Sequence, residues 1–304
     1  MTTRPRRRRL IGWLCGALLV GCTPATPTAS PTPSPTAVDF TRPGVASAMV
    51  AQLLAKANTE YALMVEVTTD SVEVSVLDED KTVTWAYRDG EIGEVASDLQ
   101  YVDQATFPVA RLNISDVGAL FRAAKGQSGS AENQSLTIVD YSGGEVMMSV
   151  STVPESRTVF FNPDGSLLQV LDFDTPGGVA TGIRDAVGER ATVYSISVES
   201  DQGAWAEYPG GGGTTVRRTR TAKVPVTTNV TDQQIDLPLF LASRVEPETI
   251  WTVVDDIRGS AEIPEGTRWS VVIDDREGLG SPRMHFTIGS TVLTTDLDGN
   301  VVSS

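Results

Sequence analysis

The stretch YALMVEVTTDSVEVSVLDEDKTVTWAYRDG, residues 61–90, decides the fold class. Tyr61, Leu63, Val65 and Val67 alternate along one side of a first run, and Val72, Val74 and Val76 follow with Glu73 and Ser75 turned outward. A third run carries Val83, Trp85 and Tyr87 and stops at Asp89-Gly90. A period of two marks a strand with one buried face, and Asp-Gly between alternating runs is a hairpin signal. Immediately upstream, Val45, Met49, Val50, Leu53 and Leu54 fall at helical spacing instead. The unit is a helix followed by three antiparallel strands.

That unit recurs with a period of about 65 residues. A second helix is predicted with Asn113 as N-cap and Val117, Leu120, Phe121 and Ala124 as its buried stripe, before strands at Leu136–Val139, Val146–Val150 and Val159–Phe161 and a turn at Asn162-Pro163-Asp164-Gly165. The third helix, Val179–Val187, is the poorest, because Gly178 and Gly182 each cost about 1 kcal/mol relative to Ala. Its strands are Val193–Val198, Ala204–Tyr208 and Thr215–Arg220, with a flexible loop expected at Gly210–Gly213. The fourth helix starts at Pro247, a favoured first position, and buries Ile250, Val253, Val254 and Ile257. Trp269–Ile273, Met284–Ile288 and Thr291–Thr295 complete the set.

Sliding the chain against itself reveals matches at one offset of 133–134 residues. Pro43-Gly44-Val45 returns at Pro176 to Val179, Thr82-Val83 at Thr215-Val216, Phe107 at Phe240, Arg111-Leu112 at Arg244-Val245, and Asp164-Gly165 at Asp298-Gly299. The constant offset predicts two homologous modules, 43–172 and 173–304, with the boundary at Asp172–Pro176. Half-polar strands joined by hairpins imply an α+β architecture: antiparallel sheets, with helices packed on one face. The helix-then-strands repeat with its late Asp-Gly turn, as in Phe160 to Leu167, resembles PepSY domains and is similar to the tandem units of the β-lactamase inhibitor protein fold. The resemblance is architectural and covers most of residues 43–304. It implies an exported module that binds proteins or assists envelope assembly, and it carries no residue role across.

The N-terminus is an address. Arg4, Arg6, Arg7, Arg8 and Arg9 precede the apolar run Leu10–Val20, a charged region followed by a hydrophobic one. Eleven helical residues reach roughly 16 Å, about half of a ~30 Å hydrocarbon core. The run ends in Leu19-Val20-Gly21-Cys22, which resembles the lipobox of bacterial lipoproteins. The resemblance implies cleavage of residues 1–21 and acylation of Cys22, and hence a protein tethered to the extracytoplasmic face of the cell membrane. Arg7-Arg8-Arg9-Leu10-Ile11 also looks like a twin-arginine export signal, and the Sec route stays open beside it. Residues 22–42 form a stalk rich in Pro, Thr and Ser, extended at ~3.1 Å per residue where it is polyproline II and suited to O-glycosylation.

Composition narrows the partners. The chain has 24 Lys+Arg, of which 20 are Arg, a bias suggesting an actinobacterial source, against 39 Asp+Glu. Loss of the five leader arginines leaves 19 basic residues and a net charge of −20. Such a field repels nucleic acid and anionic headgroups. Cys15 leaves with the leader, so no disulfide is expected.

Chemistry is sparse. His285, the single histidine, lies between Met284 and Phe286 and is expected on the opposite, solvated face of its strand. No Gly-x-Ser-x-Gly elbow occurs. Asp78-Glu79-Asp80, Asp255-Asp256 and Asp274-Asp275 are neighbours in sequence, which on a strand or helix point apart. Asp296, Asp298 and Asn300 could offer oxygens to calcium or form a hairpin turn. The turn is the simpler reading, and no metal or cofactor is expected. Arg218 and Arg220 share a strand face in a basic cluster and are the candidates for gripping an anionic wall polymer or a partner's carboxylates; alternatively, they neutralise nearby acids. The leading expectation is a non-enzymatic binding or scaffolding lipoprotein whose partner is an envelope protein or a cell-wall component. A lipid or glycolipid carrier and an unrecognised enzyme are the alternatives.

Overall fold

A computed structural model describes residues 38–96 and 104–302. The leader, Cys22 and the stalk up to Ala37 lie outside the described residues. The described part belongs to one compact unit. It holds four helices and two seven-stranded antiparallel sheets, so the α+β class stands.

In the first half, α1 is Val45–Lys56, followed by β1 Tyr61–Ala62, β2 Met64–Val67, β3 Val72–Asp78, β4 Lys81–Arg88, β5 Glu91–Val95 and β6 Phe107–Pro108. Then come α2 Val117–Ser128, β7 Ser135–Ser142, β8 Glu145–Ser151 and β9 Thr158–Phe161. The second half runs through α3 Pro176–Val187, β10 Thr192–Val193, β11 Ser195–Glu199, β12 Gly203–Pro209, β13 Thr215–Arg220, β14 Thr227–Thr231 and β15 Phe240–Leu241. It ends with α4 Pro247–Ser260, β16 Trp269–Asp274, β17 Arg283–Ile288 and β18 Thr291–Thr295. The sheet orders correspond: β5-β4-β3-β2-β7-β8-β9 and β14-β13-β12-β11-β16-β17-β18. In each, two hairpin-linked groups meet along a central antiparallel pair, β2–β7 or β11–β16.

Cross-strand register gathers the apolar side chains into rows. Trp85, Val74, Val65, Ile138, Met148 and Phe161 are successive partners across the first sheet. Most are buried, together with Val50, Leu53 and Leu54 of α1 and Leu120 and Phe121 of α2, in one hydrophobic cluster. A second cluster starts at Leu171 and joins Val179 and Ile183 of α3 and Ile250 and Val254 of α4 to Ile196, Ile273 and Phe286.

In each half the first helix is followed by four strands of the seven-stranded sheet, not three, besides the two-residue strands β1 and β6 or β10 and β15. Edge strands β5 and β14 were missed because a strand with a single neighbour buries little and shows little alternation. The run from Tyr61 to Val67 is two strands. β1 pairs with β6 while β2 pairs with β3 and β7, and the change of partner at Leu63 shifts the pleat, exposing Tyr61 and burying Ala62. Ser75 does face away from the valines, but it is buried and bonds to Thr84 Oγ1 at 2.8 Å. The cap of α2 is Asp116, whose Oδ1 accepts from Ala119 N at 2.8 Å; Asn113 instead donates to Asp164 O at 2.9 Å. Helix α3 begins three residues early, capped by Thr175, which accepts from Gly178 N. The Asp89-Gly90 hairpin forms as read, with φ of 52° and 88°, the two positive values that a two-residue type I′ loop requires.

Candidate functional site

Arg218 and Arg220 lie on β13, where the register sets them beside Ala206 and Ala204 of β12. Those alanines pair in turn with Ile196 and Val198, so both arginines enter the row system of the second core. The same row positions on β4 hold Trp85 and Tyr87, opposite Val74 and Val72. Ala204 and Ala206 are small, and the guanidinium groups of the arginines beside them reach the end of α3.

Arg220 is 1% exposed. Its Nε donates to Asp185 Oδ2 at 3.1 Å, Nη1 to Thr221 O and to Val224 O at 2.7 Å, and Nη2 to Gln169 O at 2.6 Å. Arg218 donates from Nε to Ala186 O at 3.3 Å and from Nη2 to Asp185 O at 3.2 Å, two carbonyls at the C-terminal end of α3 where cations are favoured. Its Nη1 meets Glu145 Oε1 at 2.7 Å. A cleft of about 410 Å³ opens here, and Arg184, Arg218 and Arg220 share it with Glu145, Asp185 and Glu189. Three positive and three negative groups leave little net field for an incoming anion. It is the neighbouring Arg217 that neutralises an acid directly across the sheet, at Glu207.

His285 takes the position expected for it, away from Met284 and Phe286, but it is half-buried rather than solvated. Nδ1 lies 3.2 Å from Thr294 Oγ1, and Nε2 is 3.8 Å from Asp274 Oδ1, too long for a hydrogen bond. Burial pushes its pKa below the usual histidine value, and Arg276 adds to the effect. Asp274 is committed elsewhere, accepting from Arg276 Nε at 2.7 Å and Nη2 at 2.6 Å. Thr294, His285 and Asp274 stand in a row without a formed relay.

The carboxylate pairs have separate local uses. Glu79-Asp80 is the β3–β4 turn, Asp255 and Asp256 are exposed on α4, and Asp275 accepts from Leu279 N and Gly280 N at 2.8 Å each. Asp296 is occupied within its own turn by Asn300 Nδ2 at 3.0 Å, Asn300 N at 2.9 Å and Asp298 N at 3.0 Å, and these bonds, the Asn300 side chain's first, hold its carboxyl below the usual range.

The site that sequence reading missed is a groove of about 840 Å³ between α1 and residues 108–114. Its floor is Val50, Leu54, Val109, Leu112 and Ile114, and Ser47, Ala51 and Ala55 form one flank. Three small residues four apart on one helix face keep that flank low. Asn58, Thr59 and Glu60 close one end with polar groups. The volume is that of a ligand pocket, and the lining is mainly apolar.

No protein-family model matches the chain, and no curated protein does. Among solved structures, a PCNA2–PCNA3 complex from Sulfolobus tokodaii aligns over 84% of this chain and 94% of that one, at 10% identity and a TM-score of 0.16. A likeness at that level carries no argument about fold or function.

Proposed function

We propose that the protein is a lipid-anchored, extracytoplasmic binding protein of the bacterial cell envelope, non-enzymatic, that takes a partner into the groove beside α1. The groove is the observation that carries this reading: an open, apolar trough of ligand size walled by small side chains. The leader arginines, the apolar run and Cys22 support the anchor. Corresponding sheet orders support a duplication of modules 43–172 and 173–304, with the two helices of each module lying over the same face of its sheet.

Two experiments test the parts separately. Palmitate labelling in a bacterial host should be lost in Cys22→Ser, and labelling that persists would remove the anchor. A photo-crosslinking residue at Ala51 or Ala55, on intact cells, should give a discrete adduct with an envelope protein that the same group at exposed Val292 does not. Equal adducts from all three positions would end the groove assignment.

The apolar floor favours one second reading, a carrier of lipid or glycolipid. Native mass spectrometry of gently purified protein would then show a reproducible extra mass that extracts into organic solvent.

A further inference from the structure

The connection between the two halves has no slack. Leu168 N donates to Phe160 O at 2.9 Å and Leu167 bridges Phe161, so the chain is tied to the first sheet as far as Leu168. The next residue is already held by the second half. Gln169 O accepts from Arg220 Nη2 at 2.6 Å, and Leu171 N donates to Ala222 O at 2.9 Å. Domains on a free linker move relative to one another by default. Here the crossing is a single peptide unit, and rotation about it is the hinge motion left open.

A second tether opposes that rotation. At the tip of the β7–β8 hairpin, Ser142 Oγ accepts from Thr228 N of β14 at 2.7 Å and lies 3.4 Å from Thr228 O. Gly143, at φ +63°, lets the hairpin approach so closely that an added Cβ would stand 3.3 Å from Thr228 Cβ. Three residues beyond Ser142, Glu145 takes the Arg218 Nη1 bond. A half-exposed ion pair is weak on its own because water and side-chain entropy compete with it. Arg218, however, is oriented beforehand by Asp185 O and Ala186 O, so little more must be ordered when it meets Glu145.

We infer that Arg218 is a latch: it carries the end of α3 to the β7–β8 hairpin and, with the Leu168–Gln169 crossing, makes the two halves one rigid body. The arginine pair is thus turned inward to fix the relative orientation of two sheets. This inference does not depend on what the groove binds.

Distance measurements between spin labels on the full chain test it. Cys15→Ser and Cys22→Ser remove the native thiols, and Glu91→Cys on β5 and Val292→Cys on β18 place labels on outer strands of the two sheets. This background should give one narrow distance distribution. Glu145→Ala, a change at a hairpin tip that leaves α3 untouched, should broaden it at least twofold, and Arg218→Ala should do the same. A broad distribution in the background chain would overturn the latch, as would an unchanged width in Glu145→Ala. Broadening by Arg218→Ala alone would also overturn it, since loss of the α3 contacts would then be the cause. If Arg218→Ala does not fold, Glu145→Ala decides.

Discussion

A methyl group added at Gly178 would overlap the Asp172 carbonyl, and one added at Gly182 would overlap the Phe173 ring while standing 3.2 Å from Ala204 Cβ. On an open helix surface, replacing Gly by Ala stabilises by up to about 1 kcal/mol. At these two positions the sign reverses, because the glycines are where the helix meets its neighbours. Gly178→Ala, which faces backbone, should lower stability by about 1–3 kcal/mol in urea unfolding. Gly182→Ala, which faces a ring that can tilt, should cost less, and Gly177→Ala, with open space around it, should be neutral or better. His285 is surrounded by Asp274, Arg276, Glu277 and Arg283. Its folded pKa is depressed, so between the folded value and the unfolded value of about 6.5 the unfolded chain binds more protons. Its contribution to stability is present above pH 6.5 and is lost as pH falls through the folded pKa. The thermal midpoint at pH 5, taken relative to that at pH 7.5, should therefore rise in His285→Gln, and an unchanged difference would show that His285 contributes nothing to it.

At the scale of elements, β13 depends on a charge inside the core. Arg220 satisfies three carbonyls and Asp185, so Arg220→Met would leave those oxygens without their donor. Removing one partner of a buried pair costs about 3–5 kcal/mol, and the partial exposure of Asp185 sets the expectation at the lower end, about 3 kcal/mol in chemical denaturation. Arg220→Lys should rescue little of this, since a point charge cannot reach oxygens arranged around a planar fork. This role was within reach of the sequence. The match of Thr82-Val83 to Thr215-Val216, continued along the strand, sets Trp85 on Arg218 and Tyr87 on Arg220, which marks both arginines as core-facing. Reading them only as a local excess of positive charge hid that. The four helices and most of the central strands were legible because each buries one face and repeats at its own period. β1, β6, β10 and β15 have two residues each, too few to show a period. The groove was not legible either, for it exists only where Ala51 and Ala55, unremarkable in sequence, come to stand beside residues 108–114.

For the whole molecule, two separate hydrophobic clusters must hold against a strongly acidic surface. The formal charge is −15 for the full chain and −20 without the five arginines among residues 4–9. Self-repulsion of that size opposes compaction and acts between charges many ångströms apart. The stabilising pairs act at contact, at 2.7 Å for Arg218–Glu145 and 3.1 Å for Arg220–Asp185. Salt separates the two effects by range. The screening length falls from about 30 Å at 0.01 M to about 8 Å at 0.15 M, which removes most long-range repulsion while contact pairs stay well inside it. The thermal midpoint should therefore rise between these salt concentrations, and more steeply at pH 7.5 than near the isoelectric point of about 4.5, where the net charge is small. A midpoint that fell with salt at pH 7.5 would mean that local ion pairs, not the acidic excess, dominate the electrostatics of folding. Arg218 and Arg220 would then matter more to stability than their number suggests.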